Sequence, residues 1–128
     1  MNERITVPMH FRSAGLMIVV GTLTGAFGAH ALDGVLPEQS MGSFEVASRY
    51  LLIVGAALMG ALASGERRGL AWVQCGSWLF SISIFLLVAG RHGDWNMGSV
   101  FGPLTPIGGL MMIVGWSSWV IGFGKGRS

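Results

Sequence analysis

Four separate apolar stretches in a chain poor in charge predict an all-α integral membrane fold, a bundle of four transmembrane helices with antiparallel neighbours. Apolar residues make up 52% of the 128 positions and charged residues 11%, against about 25% charged in a soluble domain. Each stretch is close to the ~20 residues that carry a helix across a ~30 Å hydrocarbon core. No Asp, Glu or Lys lies inside any of them, as expected where a central charge costs several kcal/mol. The runs are continuously apolar and do not alternate, which excludes a β-barrel. Within lipid, helices are then left to satisfy the backbone.

The first span runs from about Phe11 to Leu32 and the second from about Val46 to Ser64. The third covers Leu70 to Gly90 and the fourth Leu104 to Phe123. Between them lie short connections with turn chemistry. Asp33-Gly34 and Pro37-Glu38 mark the first, Gly65-Glu66-Arg67-Arg68-Gly69 the second, and His92, Asp94, Trp95 and Asn96 sit in the third. Short connections make successive helices antiparallel neighbours, and residues 1–128 are expected to form one membrane domain. Arg4 and Arg12 precede the first span as in a signal peptide. That span continues through Ala31 and three more follow, so the first helix is expected to be retained.

Basic residues set the expected orientation. Arg4, Arg12, Arg67, Arg68, Lys125 and Arg127 fall on one side, Arg49 and Arg91 on the other. By the positive-inside rule both termini are expected to be cytoplasmic. The net charge of +2 and the pI near 9.3 do not imply nucleic acid, because no basic stripe exists to follow a phosphate backbone. Cys75 is the single cysteine and reads as a buried, inert thiol.

Small residues recur where helices would touch. Gly21 and Gly25 form a G-x-x-x-G that Gly28 continues, Ala56, Gly60 and Ser64 repeat every four residues, and Gly108, Gly115 and Gly122 every seven. Such spacing permits close backbone approach. Gly25 and Gly28 are expected to face another helix.

Few side chains offer chemistry. His30, at the end of the first span, is expected to anchor the helix end by bonding loop backbone or the region of Arg49 and Tyr50, which open the second span. Arg49 can pair with Glu45 one turn earlier or meet a lipid phosphate. His30, His92 and Asp94 share a depth, but no spacing enforces a metal site. Tyr50, Trp72, Trp95, Trp116 and Trp119 suit interfacial belts, and Trp116 and Trp119 could instead lie between helices. Thr105-Pro106 reads as a helix start, with Thr105 as N-cap and Pro106 behind it. No nucleophile elbow, P-loop, H-E-x-x-H or C-x-x-C motif occurs, so no catalytic residue, cofactor or metal ligand is assigned and no enzymatic activity is expected.

Several runs resemble a known family. Gly25-Ala26-Phe27-Gly28-Ala29-His30-Ala31-Leu32 resembles the first-helix signature of the bacterial membrane family called domain of unknown function 423, which has transmembrane protein 256-like relatives in eukaryotes. Phe80-Ser81-Ile82-Ser83-Ile84-Phe85 is similar to its F-S-G-S-L-Y, with Ile82 and Phe85 in place of Gly and Tyr. Thr105-Pro106-Ile107-Gly108-Gly109 and Gly115-Trp116 are similar to its T-P-x-G-G and G-W. Val54 stands where the family usually carries a His, four residues after the tyrosine. The resemblance implies a four-helix protein of the bacterial inner membrane and carries no established activity with it.

Three functions fit these observations. The preferred one is a structural or accessory subunit that packs against a larger membrane complex through Gly-rich faces. A small oligomeric transporter or channel is weakened by the lack of intramembrane carboxylates and broken helices. A membrane enzyme or cofactor holder would have to use His30 and the outer loops.

Overall fold

The computed structural model describes residues 9–93 and 98–125, which are helices joined by turns and short irregular loops. Asp94, Trp95 and Asn96, like Arg4 and Arg127, lie outside them. Helix α1 (Met9–Phe27) continues without a break into a π-helical turn, Gly28–Leu32. Helices α2 (Glu38–Ala63) and α3 (Leu70–His92) follow, then the one-turn α4 (Gly98–Phe101) and α5 (Leu104–Lys125). Four helices, α1 with its π turn, α2, α3 and α5, are long and apolar enough to cross a membrane. The expected fold class is therefore present.

Helix α2 starts at Glu38, eight residues before the apolar stretch does. Arg49 lies eleven residues into it, about 16 Å along the axis at 1.5 Å per residue, where the apolar stretch of the second span begins. The polar first turns are helical because a helix satisfies its backbone in headgroups or water as well as in lipid. The sharp turns rest on glycine. Gly65 and Gly69 bracket the α2–α3 turn with φ of 88° and 79°, a region that only glycine enters cheaply. Within this turn the Glu66 carboxylate accepts the Arg68 N–H at 2.7 Å, and Trp119 Nε1 donates to the Glu66 carbonyl at 3.2 Å.

Two antiparallel hairpins, α1–α2 and α3–α5, join through α2 and α3. Helices α1 and α5 stay more than 8 Å apart, Cα to Cα. Burial follows: 44% of the most apolar stretch of α2 and of α3 is covered inside the chain, against 17% for α1 and 22% for α5. The core holds Ala14 and Met17 of α1, Leu51 and Leu58 of α2, and Leu70 and Val73 of α3. A second cluster, Leu36, Ala47, Ile84 and Val88, closes the opposite end.

The seams run on glycines seven residues apart. A Cβ on Gly108 would lie 2.6 Å from the Phe80 nitrogen and 2.7 Å from the Gly76 carbonyl oxygen. On Gly115 it would meet Gly69 O and Val73 Cγ2 at 2.6 Å. Gly122 faces Arg68 and Glu66 at 3.1 Å. The expected α5 seam is thus in place, against a partner row Gly69, Gly76, Ser83 that has the same period. Between α1 and α2, Gly21 meets Leu52 and the Ser48 carbonyl, Gly28 meets Phe44, and Gly55 meets the Ala14 carbonyl.

Three expectations are corrected. Gly25 has nothing within 4 Å of where its Cβ would be, so the α1 seam follows Ala14, Gly21 and Gly28 and not the G-x-x-x-G. Ala56, Gly60 and Ser64 are exposed, one residue out of phase with Gly55, which does pack. Cys75 is exposed as well.

Candidate functional site

Hydroxyls tie the helices together. Ser48 Oγ donates to Thr24 Oγ1 at 2.9 Å, and Thr24 donates to the Val20 carbonyl at 2.7 Å. Ser81 Oγ donates to the Ala47 carbonyl at 3.0 Å. Ser83 Oγ and Thr105 Oγ1 share a hydrogen bond of 2.7 Å. In an apolar surround these bonds leave fewer polar groups unpaired. The start of α1 is fastened to α3 by residues the sequence did not single out. Gln74 Nε2 donates to His10 Nδ1 at 3.0 Å, and Trp78 Nε1 donates to Ser13 Oγ at 3.0 Å.

Most of the remaining family-motif residues are also structural. Thr105 is not an N-cap: α5 begins one residue earlier, at Leu104, and the Thr105 hydroxyl goes to Ser83. Pro106 still falls in the first turn, where its missing N–H leaves no bond unmade. Gly109 has ordinary contact with Phe80, at 4.0 Å. Trp116 packs half-buried against the core and edge-on to Trp119, with ring centroids 6.0 Å apart. Tyr50, 43% exposed, leans on Phe80 at 4.8 Å.

His30 departs from expectation. It lies exposed on the π turn, and among the described residues its ring has no hydrogen-bond partner. The anchoring bond to loop backbone or to Arg49 and Tyr50 is not formed. His92 borders a small cavity with Leu36, Pro37, Ser40 and Arg91. Among the described residues no three of His, Cys, Asp and Glu come together.

Arg49 stands apart. It is exposed in the body of α2, and among the described residues it has no ion pair or hydrogen bond, Glu45 included. At 100° per residue, Gly42, Arg49 and Ala56 fall on one face of α2, with Ile53 and Gly60 in the adjoining row. All five are exposed. The strip therefore carries small residues around one unpaired guanidinium, flanked by the exposed apolar side chains of Val46 and Ile53. Beside it, Gly25, Glu45, Ser48, Arg49 and Leu52 line a cavity of about 190 Å³ against α1. Along the flank of α2 that carries Gly42 and Val46 a larger groove, of about 710 Å³, opens toward α3 and α5.

Comparison with known proteins agrees with this architecture. The sequence model of the family described as "Protein of unknown function (DUF423)" matches residues 24–109. A UPF0382 membrane protein of Staphylococcus aureus (strain bovine RF122 / ET3-1) is 32% identical, the match covering 83% of this chain and 93% of the relative. A UPF0382 membrane protein of Staphylococcus saprophyticus is 34% identical, over 83% of this chain and 87% of the relative. No solved structure matches the chain significantly.

Proposed function

This chain belongs to the DUF423 family of membrane proteins, and on that premise we propose that it is a non-catalytic accessory subunit that docks on a larger membrane protein of the bacterial inner membrane, with both termini cytoplasmic. One observation carries the reading: the outward strip of α2, small residues set around Arg49. In lipid, helix association relies on close packing and polar contacts, because hydrophobicity does not distinguish a helix from a lipid tail. The strip offers both. Ala56 and Gly60 let a second helix approach, and Arg49 gives it a charge to answer.

An arginine at this position is costly when it faces lipid alone, about 2.5–3.5 kcal/mol at a helix centre, less when the side chain reaches toward the interface. A carboxylate or a set of carbonyls on a partner helix removes that cost. The expected partner is therefore a multi-pass protein that presents an acidic or carbonyl-rich helix face to α2. Orientation rests on the six-to-two distribution of Lys and Arg. Purification from native membrane in mild detergent tests the proposal. A stoichiometric larger partner, lost when Arg49 is replaced by Glu, supports it. Elution of the chain as a homo-oligomer favours the transporter alternative instead.

A further inference from the structure

The groove between α2, α3 and α5 has walls of one chemistry and a rim of another. Val46, Ile84, Leu87 and Val88 line its apolar side, while Arg91 and Gln39 stand at the end near the α1–α2 loop. Its volume of about 710 Å³ is within the roughly 300–1,000 Å³ of small-molecule sites. The walls belong to membrane-spanning helices, so the groove opens sideways into hydrocarbon and not into water. Among the described residues no carboxylate lines it. Among the described residues neither Arg91 nor the Gln39 amide has a hydrogen-bond or ion-pair partner.

We infer that this groove binds one acyl chain of an anionic phospholipid, whose phosphate rests on Arg91 and Gln39. Charge complementarity selects the occupant. An apolar slot alone would take any acyl chain, but the one charged side chain among the described residues that line it is a cation placed where a spanning helix ends, at headgroup depth. A guanidinium meets a phosphate with two parallel N–H donors, and the Gln39 amide supplies another. The first turn of α2, which carries Gln39, adds the positive end of its dipole on the same side. A partner helix is a poorer fit, since residues of α2, α3 and α5 already close the slot on three sides. The inference does not depend on the docking of a partner at Arg49, which borders a different cavity.

The test uses the full chain in phosphatidylcholine vesicles with a trace of spin-labelled phosphatidylglycerol or spin-labelled phosphatidylcholine. The immobilised fraction is read by electron paramagnetic resonance. The wild type is expected to prefer the anionic label about fivefold, the effect of one well-placed basic residue at a membrane surface. Arg91→Gln should remove that preference, and Arg67→Gln, at the other end of the helices, should not. Gly42→Leu, at a position with nothing within 4 Å of its Cβ, should fill the slot and reduce immobilisation of both labels. Circular dichroism of each variant verifies that it is folded. Equal preference in wild type and Arg91→Gln would overturn the inference. So would release of the bound label by excess inorganic phosphate at matched ionic strength, which would indicate a site for the free anion.

Discussion

Gly76 and Gly108 face each other so closely that a Cβ on Gly76 would lie 2.6 Å from the Gly108 carbonyl oxygen. The α3–α5 hairpin therefore depends on two missing side chains, one on each helix. Gly76→Ala and Gly108→Ala should each destabilise the protein by about 1–3 kcal/mol, the usual cost of overpacking. Gly25→Ala, with open space around it, should change stability by less than about 0.5 kcal/mol. Thermal unfolding in detergent, followed by tryptophan fluorescence, measures all three. Equal loss in Gly25→Ala and Gly108→Ala would contradict the period-seven seam.

Three serines on α3 make a second comparison. Ser81 bonds the Ala47 carbonyl and Ser83 bonds Thr105, but among the described residues Ser77 Oγ is buried without a partner. Ser81→Ala and Ser83→Ala are expected to cost about 0.6 kcal/mol each and at most ~1.7. Ser77→Ala should be neutral or stabilising, because it removes a buried polar group that makes no hydrogen bond. A loss above about 1 kcal/mol for Ser77→Ala would mean that its hydroxyl has a partner after all.

Orientation can be read by labelling. In a Cys75→Ser background, a cysteine at the exposed Gln39 should react with an impermeant maleimide added to intact cells, and a cysteine at Ser128 should not. Labelling of Ser128→Cys from outside would reverse the topology.

Much of this fold was legible because hydropathy reports what lipid demands. The four spans and the α5 row Gly108, Gly115, Gly122 came from composition and spacing. What failed has a common cause. In a membrane the lipid face and the protein core are both apolar, so an apolar neighbourhood does not say which way Cys75 or Ala56 points. The spacing carried more than was read from it. A period of four pointed to Gly21 with Gly25 and to Ala56 with Gly60. The seams instead follow a period of seven, through Ala14, Gly21 and Gly28 and through Gly69, Gly76 and Ser83, as in left-handed helix packing. The helix start was missed because hydropathy marks where a helix meets hydrocarbon and not where it begins. Residues from Glu38 to Glu45 are polar enough to read as loop, yet they are helical. The motifs holding Ser81, Ser83, Thr105 and Gly108 pointed to real positions, whose roles are packing and hydrogen bonding between helices. His10 and Gln74 gave no signal, since their pairing spans two helices and no local pattern.

The docking of α2 on a partner is tested most directly by photo-crosslinking in living cells from Ile53, which is 60% exposed on the Arg49 face. A photoreactive residue there should give one discrete adduct with a second, larger membrane protein, and Arg49→Glu in the same chain should abolish it. A photoreactive residue at Val120, 62% exposed on α5, serves as the control and should give none. No adduct from Ile53, or an adduct at twice the mass of the chain alone, would contradict the accessory-subunit reading.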